Sequence, residues 1–98
     1  MVEQGEVYDL EEDTAHYRVI VVSSNVHNAV MTPWVVPIRH GHRDAWPYAV
    51  PLVDPDPLGG TADMNRLERA QPAGQPLGIV TGATMQRLRE AIAAVFAG

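Results

Sequence analysis

The sequence predicts a single domain of the α+β class, mainly β, in which a small barrel-like, twisted antiparallel sheet carries one C-terminal amphipathic helix. Three observations predict it. Tyr17-Arg18-Val19-Ile20-Val21-Val22-Ser23-Ser24 holds four consecutive β-branched residues closed by two serines, the pattern of a central strand buried on both faces. Further β-rich runs are short and set apart by proline and glycine punctuation. Finally, Met85, Leu88, Ile92, Val95 and Phe96 recur at offsets of three and four, one face of a helix. With 98 residues the chain can bury one modest core and not two, so residues 1–98 are read as one domain.

Taken in order, Gly5 to Leu10 alternates polar and apolar residues, placing Val7 with Asp9 on one face and Tyr8 with Leu10 on the other, as in a strand. Glu11 to His16 reads as a short acidic loop. After the valine run, Ser24-Asn25-Val26-His27-Asn28 has capping and turn residues suited to a loop or one helical turn. Trp34 to Ile38 is a third strand; Pro37 cannot donate to a ladder and suggests an edge or a bulge. Pro47 to Val53 is a fourth, ended by Asp54-Pro55-Asp56-Pro57 and Gly59-Gly60. Between Thr61 and Arg69 helix and strand compete. Pro72 to Gly78 is loop, Ile79-Val80 at most a short strand, and Thr81 caps the final helix.

Composition narrows the function. The formal charge of −5 argues against a broad phosphate-neutralising surface. Six of the twelve carboxylates precede residue 14, however, whereas Arg39, His40, His42 and Arg43 fall within five positions, so a local basic site on an acidic body is possible. The absence of cysteine removes disulfides and thiolate zinc sites and fits a reducing compartment. The N-terminus is acidic, and no apolar run approaches the roughly 20 residues that span a bilayer; the expectation is a soluble, unexported, cytoplasmic protein without a membrane partner.

The chemistry converges on arginine. A charge at the mouth of a buried strand is either held by a partner or presented to a ligand, because burying it unpaired costs several kcal/mol, roughly. For Arg18 the partners suggested by proximity are Glu6, Glu11 and Asp13. Arg39-His40-Gly41-His42-Arg43 reads either as a solvated turn or as a phosphate contact. His40 and His42 lack a third ligand in sequence reach, so no metal is assigned. Ser23, Ser24 and Asn25 suit turns better than nucleophilic catalysis, since nearby His27 has no evident orienting acid. His16, one pleat from Arg18, is expected on the opposite sheet face if the strand has already begun there. Tyr17, Trp34, Trp46 and Tyr48 can stack on bases but mostly suit the core. Arg66, Arg69, Arg87 and Arg89 read as solvated faces or interface rims.

Gly5-Glu6-Val7-Tyr8, Arg18 leading into Val19-Ile20-Val21-Val22-Ser23-Ser24, Val35-Val36-Pro37-Ile38, Trp46-Pro47-Tyr48-Ala49-Val50 and Ala62-Asp63-Met64-Asn65-Arg66-Leu67 follow one another as in the MazF/PemK toxin endoribonucleases of type II toxin–antitoxin systems, which the chain resembles nearly end to end. The resemblance implies a CcdB/MazF-like, SH3-like barrel and makes residues 61 to 69 a strand. It implies a homodimeric toxin that cleaves single-stranded RNA, including mRNA, sequence-selectively by 2′-OH attack, without metal or other cofactor. A cognate antitoxin would fill the RNA groove with its disordered tail. Arg18 takes the place of the arginine that stabilises the scissile phosphate, followed here by Val19 where proline is usual. Arg39 stands where the family has a threonine, and the loop before Arg18 is shorter than usual.

Cleavage of this kind needs a base near the 2′-OH, an acid near the 5′-oxygen and positive charge on the phosphorane. Arg18 and Arg39 are expected to clamp the phosphate through their forks of donors, and His40, or else His42, to exchange protons, histidine being the side chain that titrates near neutrality. The catalytic candidates are Arg18, Arg39 and His40; Tyr17, His42, Arg43 and Ser23 are the substrate-contact candidates. Two alternatives stand beside this reading. One is a gyrase poison of the CcdB type, although the sequence ends Phe96-Ala97-Gly98 without the C-terminal tryptophan of such poisons. The other is a catalytically weakened binding protein, motivated by Arg39.

Overall fold

The valine run lies at the middle of the sheet. In the computed structural model, which describes residues 1–12, 15–40, 48–53, 55–57 and 59–97, the strands are β1 (Glu6–Glu12), β2 (Ala15–Val21), β3 (Trp34–Arg39), β4 (Ala49–Pro51), β5 (Thr61–Asp63), β6 (Glu68–Arg69) and β7 (Gly78–Ile79). A single turn of helix, α1 (Asn25–Asn28), follows β2, and α2 (Gly82–Ala97) follows β7. The sheet order is β4-β5-β3-β2-β1-β7, with β6 also paired to β3. Every described pairing is antiparallel.

Both faces of β2 are buried, as four β-branched residues in a row require. Ile20 and Val22 join Val7, Val36, Val50, Met64, Leu88 and Ala91 in the larger core between sheet and α2, while Val19 and Val21 pack with Val2, Tyr8 and Val35 on the other side. This curled, mainly β sheet with a C-terminal helix is the architecture expected from the sequence. Helix α2 buries Met85 and Leu88 and half-buries Ile92 and Val95, but Phe96 is 73% exposed at the end of that stripe.

Three expectations need correction. Glu11 to His16 is not wholly loop: β1 runs through Glu12 and β2 starts at Ala15, paired up to Glu12↔Ala15. Glu11 and His16, which looked like loop residues, are exposed strand residues paired with each other.

Pro37 lies in a central strand and not at an edge. Val22 donates its backbone N–H to the Trp34 carbonyl, so the even-numbered backbone groups of β3 point toward β2 and the odd-numbered ones away from it. Pro37 therefore turns its donorless nitrogen toward the gap between the β3–β5 pairing at Ile38 and the β3–β6 pairing at Val35. No ladder bond is lost there.

Residues 61 to 69 form two short strands separated by a 3-10 turn, Met64–Arg66, and not one strand. The Asp63 side chain caps that turn by accepting the Asn65 N–H at 3.1 Å.

The start of α2 is tied down as Thr81 suggested. Its hydroxyl accepts the Thr84 N–H at 3.2 Å, and Asp56, from the proline-rich loop, accepts the Thr81 N–H at 2.7 Å.

Candidate functional site

The register of the β1–β2 hairpin sets Asp9 directly across from Arg18. Arg18 Nε lies 3.3 Å from Asp9 Oδ1, and His16 Nε2 lies 3.6 Å from the same oxygen. His16 Nδ1 is 3.2 Å from Glu11 Oε1, so this imidazole is held from both sides. The Arg18–Asp9 contact is electrostatic, without hydrogen-bond geometry, and its two facing atoms are shielded from solvent. It fixes one edge of a guanidinium whose side chain remains 41% exposed.

Two sequence readings change here. Among the described residues the partner of Arg18 is Asp9, and neither Glu6 nor Glu11; Asp13 lies outside the described residues. His16 shares the face of Arg18, as residues two apart in a strand must, and does not lie opposite it. Asp9 was legible in principle: alternation had already put it beside Val7, and a tight hairpin brings that face over Arg18.

Arg39 is brought beside Arg18 in the sheet but not onto its face. Arg18 pairs with Ile38, so Arg39, one residue on, points to the other side. There its Nε donates to Asp63 Oδ2 at 3.0 Å, a carboxylate that is itself buried. Tyr17 is on that side too and donates its hydroxyl to Glu68 Oε1 at 2.8 Å. Together with Pro37 and Arg66 these residues line a cleft of about 440 Å³, with His16 at its rim. Clamping of one phosphate by Arg18 and Arg39 together is thus not the arrangement that the register gives.

The remaining candidates divide. His40 is exposed just past the end of β3, beside Gly60: a Cβ built on that glycine falls 3.2 Å from His40 Cε1. It makes no hydrogen bond or ion pair among the described residues. His42 and Arg43 lie outside the described residues. Ser23 belongs to the opposite end of β2, where its hydroxyl donates to Asn28 Oδ1 and accepts the Trp34 N–H at 2.9 Å, so it is a turn residue remote from Arg18. Trp34 is half-buried with the Arg69 guanidinium 5.4 Å from its ring centre. Arg66 and Glu68, by contrast, join the cleft, which no local motif signals. Among the described residues no group of three or more histidines, cysteines or carboxylates is placed to hold a metal, and no helix is long and apolar enough to cross a membrane.

No protein-family model and no curated protein matches the chain. Solved structures do. One is a mycobacterial endoribonuclease in complex with its cognate antitoxin, 26% identical with a TM-score of 0.89 over 99% of this chain and 96% of the other. Another mycobacterial endoribonuclease is 26% identical with a TM-score of 0.85, covering 98% and 91%. The MazE–MazF complex of Deinococcus radiodurans contributes a neighbour 13% identical, with a TM-score of 0.81 over 97% and 94%, a likeness of fold. The chain is similar over nearly its full length to MazF-type toxin endoribonucleases, as its sequence motifs suggest.

Proposed function

We propose that this protein is the toxin of a type II toxin–antitoxin pair, a sequence-selective endoribonuclease that cleaves single-stranded RNA without a metal. The observation that carries this reading is the end-to-end likeness, at 26% identity, to a mycobacterial endoribonuclease bound to its antitoxin. In the proposed step the 2′-oxygen of one nucleotide attacks the adjacent phosphorus, the bond from phosphorus to the 5′-oxygen breaks, and a 2′,3′-cyclic phosphate remains. Arg18, anchored at Nε by Asp9 and half-exposed, supplies charge to the phosphorane. His16, oriented by Asp9 and Glu11, takes one proton transfer, and exposed His40 is kept for the other. Arg39 positions β5 through Asp63 and does not touch the scissile phosphate. A cognate antitoxin, a homodimeric assembly and a cytoplasmic location complete the proposal.

The test is cleavage of single-stranded RNA in EDTA by the purified chain beside Arg18→Ala and Arg39→Thr. Cyclic phosphate ends from the wild type, and a loss of about 10²–10³-fold in Arg18→Ala, are expected for removal of one transition-state donor. An inert wild type, or an Arg18→Ala variant that cleaves normally, overturns the proposal. The engagement of Arg39 by Asp63 favours one second reading, a binding protein without catalysis, and EDTA-resistant cleavage eliminates it.

A further inference from the structure

We infer that the cleft between Tyr17, Arg39, Arg66 and Glu68 is a nucleobase pocket, in which Glu68 selects a base bearing an exocyclic amino group and Arg66 holds that nucleotide's phosphate. The inference rests on the ribonuclease reading and adds to it the residues that set sequence preference.

The size of the cleft comes first. About 440 Å³ lies within the range of small-ligand sites and accommodates one nucleotide. The ring of Pro37, on the same side of β3 as Arg39, adds an apolar surface among the polar lining residues and suits the flat face of a base. The polar groups are unequal in what they can still do. Asp63 is spent: one oxygen holds Arg39 and the other caps the Met64–Arg66 turn. Glu68 is half spent. Its Oε1 accepts from Tyr17, and its Oε2 has no partner among the described residues, leaving an acceptor at the cleft wall. An acceptor there matches the amino group of cytosine, adenine or guanine and meets only carbonyl oxygens at the corresponding position of uracil.

Arg66 is the second arginine of the cleft. It is exposed and makes no ion pair among the described residues, although it lines a cleft that also contains a carboxylate. The 3-10 turn capped by Asp63 fixes its backbone. A guanidinium so presented is suited to bidentate phosphate contact.

Continuity with the proposed reaction comes through His16. This residue lines the rim of the cleft and is also 3.6 Å from Asp9, the anchor of Arg18. A nucleotide in the cleft is therefore next to, and not at, the bond that Arg18 serves. The opposite facing of Arg18 and Arg39 then has a use: one face end handles the reacting phosphate and the other reads a neighbouring base.

The experiment measures binding of short RNAs that carry 2′-O-methyl groups and cannot be cleaved, with each position changed in turn to A, C, G or U. Wild type, Glu68→Gln and Arg66→Ala are compared by fluorescence anisotropy at several salt concentrations. In Glu68→Gln the amide oxygen keeps the Tyr17 hydrogen bond and the amide nitrogen turns a donor into the cleft. Wild type is expected to disfavour uracil at one position by roughly five- to tenfold, and the glutamine variant to lose or reverse that preference there alone. Arg66→Ala is expected to weaken all sequences alike and to lower the slope of log affinity against log salt by about 0.7, the share of one phosphate contact on a single strand. Unchanged base preference in Glu68→Gln, or a loss in Arg66→Ala confined to one base, overturns the pocket while leaving a cleaving enzyme intact. A wild type that neither binds nor cleaves RNA overturns the ribonuclease reading, and the pocket with it.

Discussion

Replacing Asp56 by alanine probes how the proline-rich loop holds helix α2. Its carboxylate takes the Thr81 N–H at 2.7 Å, the Val53 N–H at 3.0 Å and the Thr84 hydroxyl at 2.5 Å. Thr84 is buried, so the variant also leaves a hydroxyl with less satisfaction than before. A helix cap alone is worth about 1 kcal/mol, and hydrogen bonds to a charged acceptor about 1.5–3 kcal/mol each. Because the three share one half-buried group, about 2–3 kcal/mol is expected in total, not their sum. For a domain of this size that lowers the melting temperature by roughly 10–20 °C.

The pH dependence has a definite sign. Burial raises the Asp56 pKa, but the hydrogen bonds from Thr81, Thr84 and Val53 outweigh it and hold the group below its ordinary 3.8. A depressed folded pKa contributes stability that is fully present above 3.8 and lost as pH falls through the folded value. Urea unfolding of wild type and Asp56→Ala across the acid range therefore shows a gap that is widest at neutral pH and closes in acid. A gap below about 0.5 kcal/mol at neutral pH, the scatter of ordinary surface substitutions, would refute the reasoning. So would a gap that acid leaves unchanged.

Other consequences are open to direct measurement. Leu88→Ala empties a site with 0% exposure beneath the sheet and should cost about 3 kcal/mol in urea unfolding. Tyr8 is buried and donates to Glu6 Oε1 at 2.8 Å; burial first and that hydrogen bond second push its pKa to about 12. Ultraviolet titration should show a late phenol ionisation absent from Tyr8→Phe, and the stability from Tyr8, present below 10.0, should be lost as pH rises toward about 12. Asp9→Asn removes a half-exposed ion pair, so unfolding should change by less than about 1 kcal/mol. Cleavage should nevertheless fall at least tenfold, roughly, because Arg18 and His16 both lose their anchor; the reverse pattern would make the pair purely structural.

What was legible in the sequence was whatever a local pattern encodes. Val19 to Val22 and the apolar stripe of α2 declare a buried strand and a packed helix without help from distant residues. The strand ends around Glu11 and His16 were misread because charged residues on a solvated hairpin look like those of a loop. Pro37 was misjudged for a different reason. Whether a missing donor matters depends on which side of β3 it faces and on a break between β5 and β6 that only the fold creates. The site followed the same division. Arg18 stood out as a charge at a strand mouth, whereas Glu68 lies 51 positions from the Tyr17 hydroxyl that it receives, a spacing no local motif reveals.

The charge balance of the molecule bears on how it can meet a polyanion. With a formal charge of −5, long-range attraction is absent, and carboxylates lie close to the arginines. Each is engaged, however: Asp9 with Arg18 and His16, Asp63 with Arg39, Glu68 with Tyr17. These acids act over about 3 Å as anchors. The acidic body acts over longer distances, and physiological salt, with a Debye length of about 8 Å, screens it first. Salt thus suppresses the repulsion more than it weakens contacts made within the cleft. Under the proposed reading a strand of RNA finds few phosphate contacts, so nonspecific binding is expected to be weak and discrimination to come from base edges. The proposed pocket would then place that recognition on Oε2 of Glu68, an acceptor that no described residue occupies.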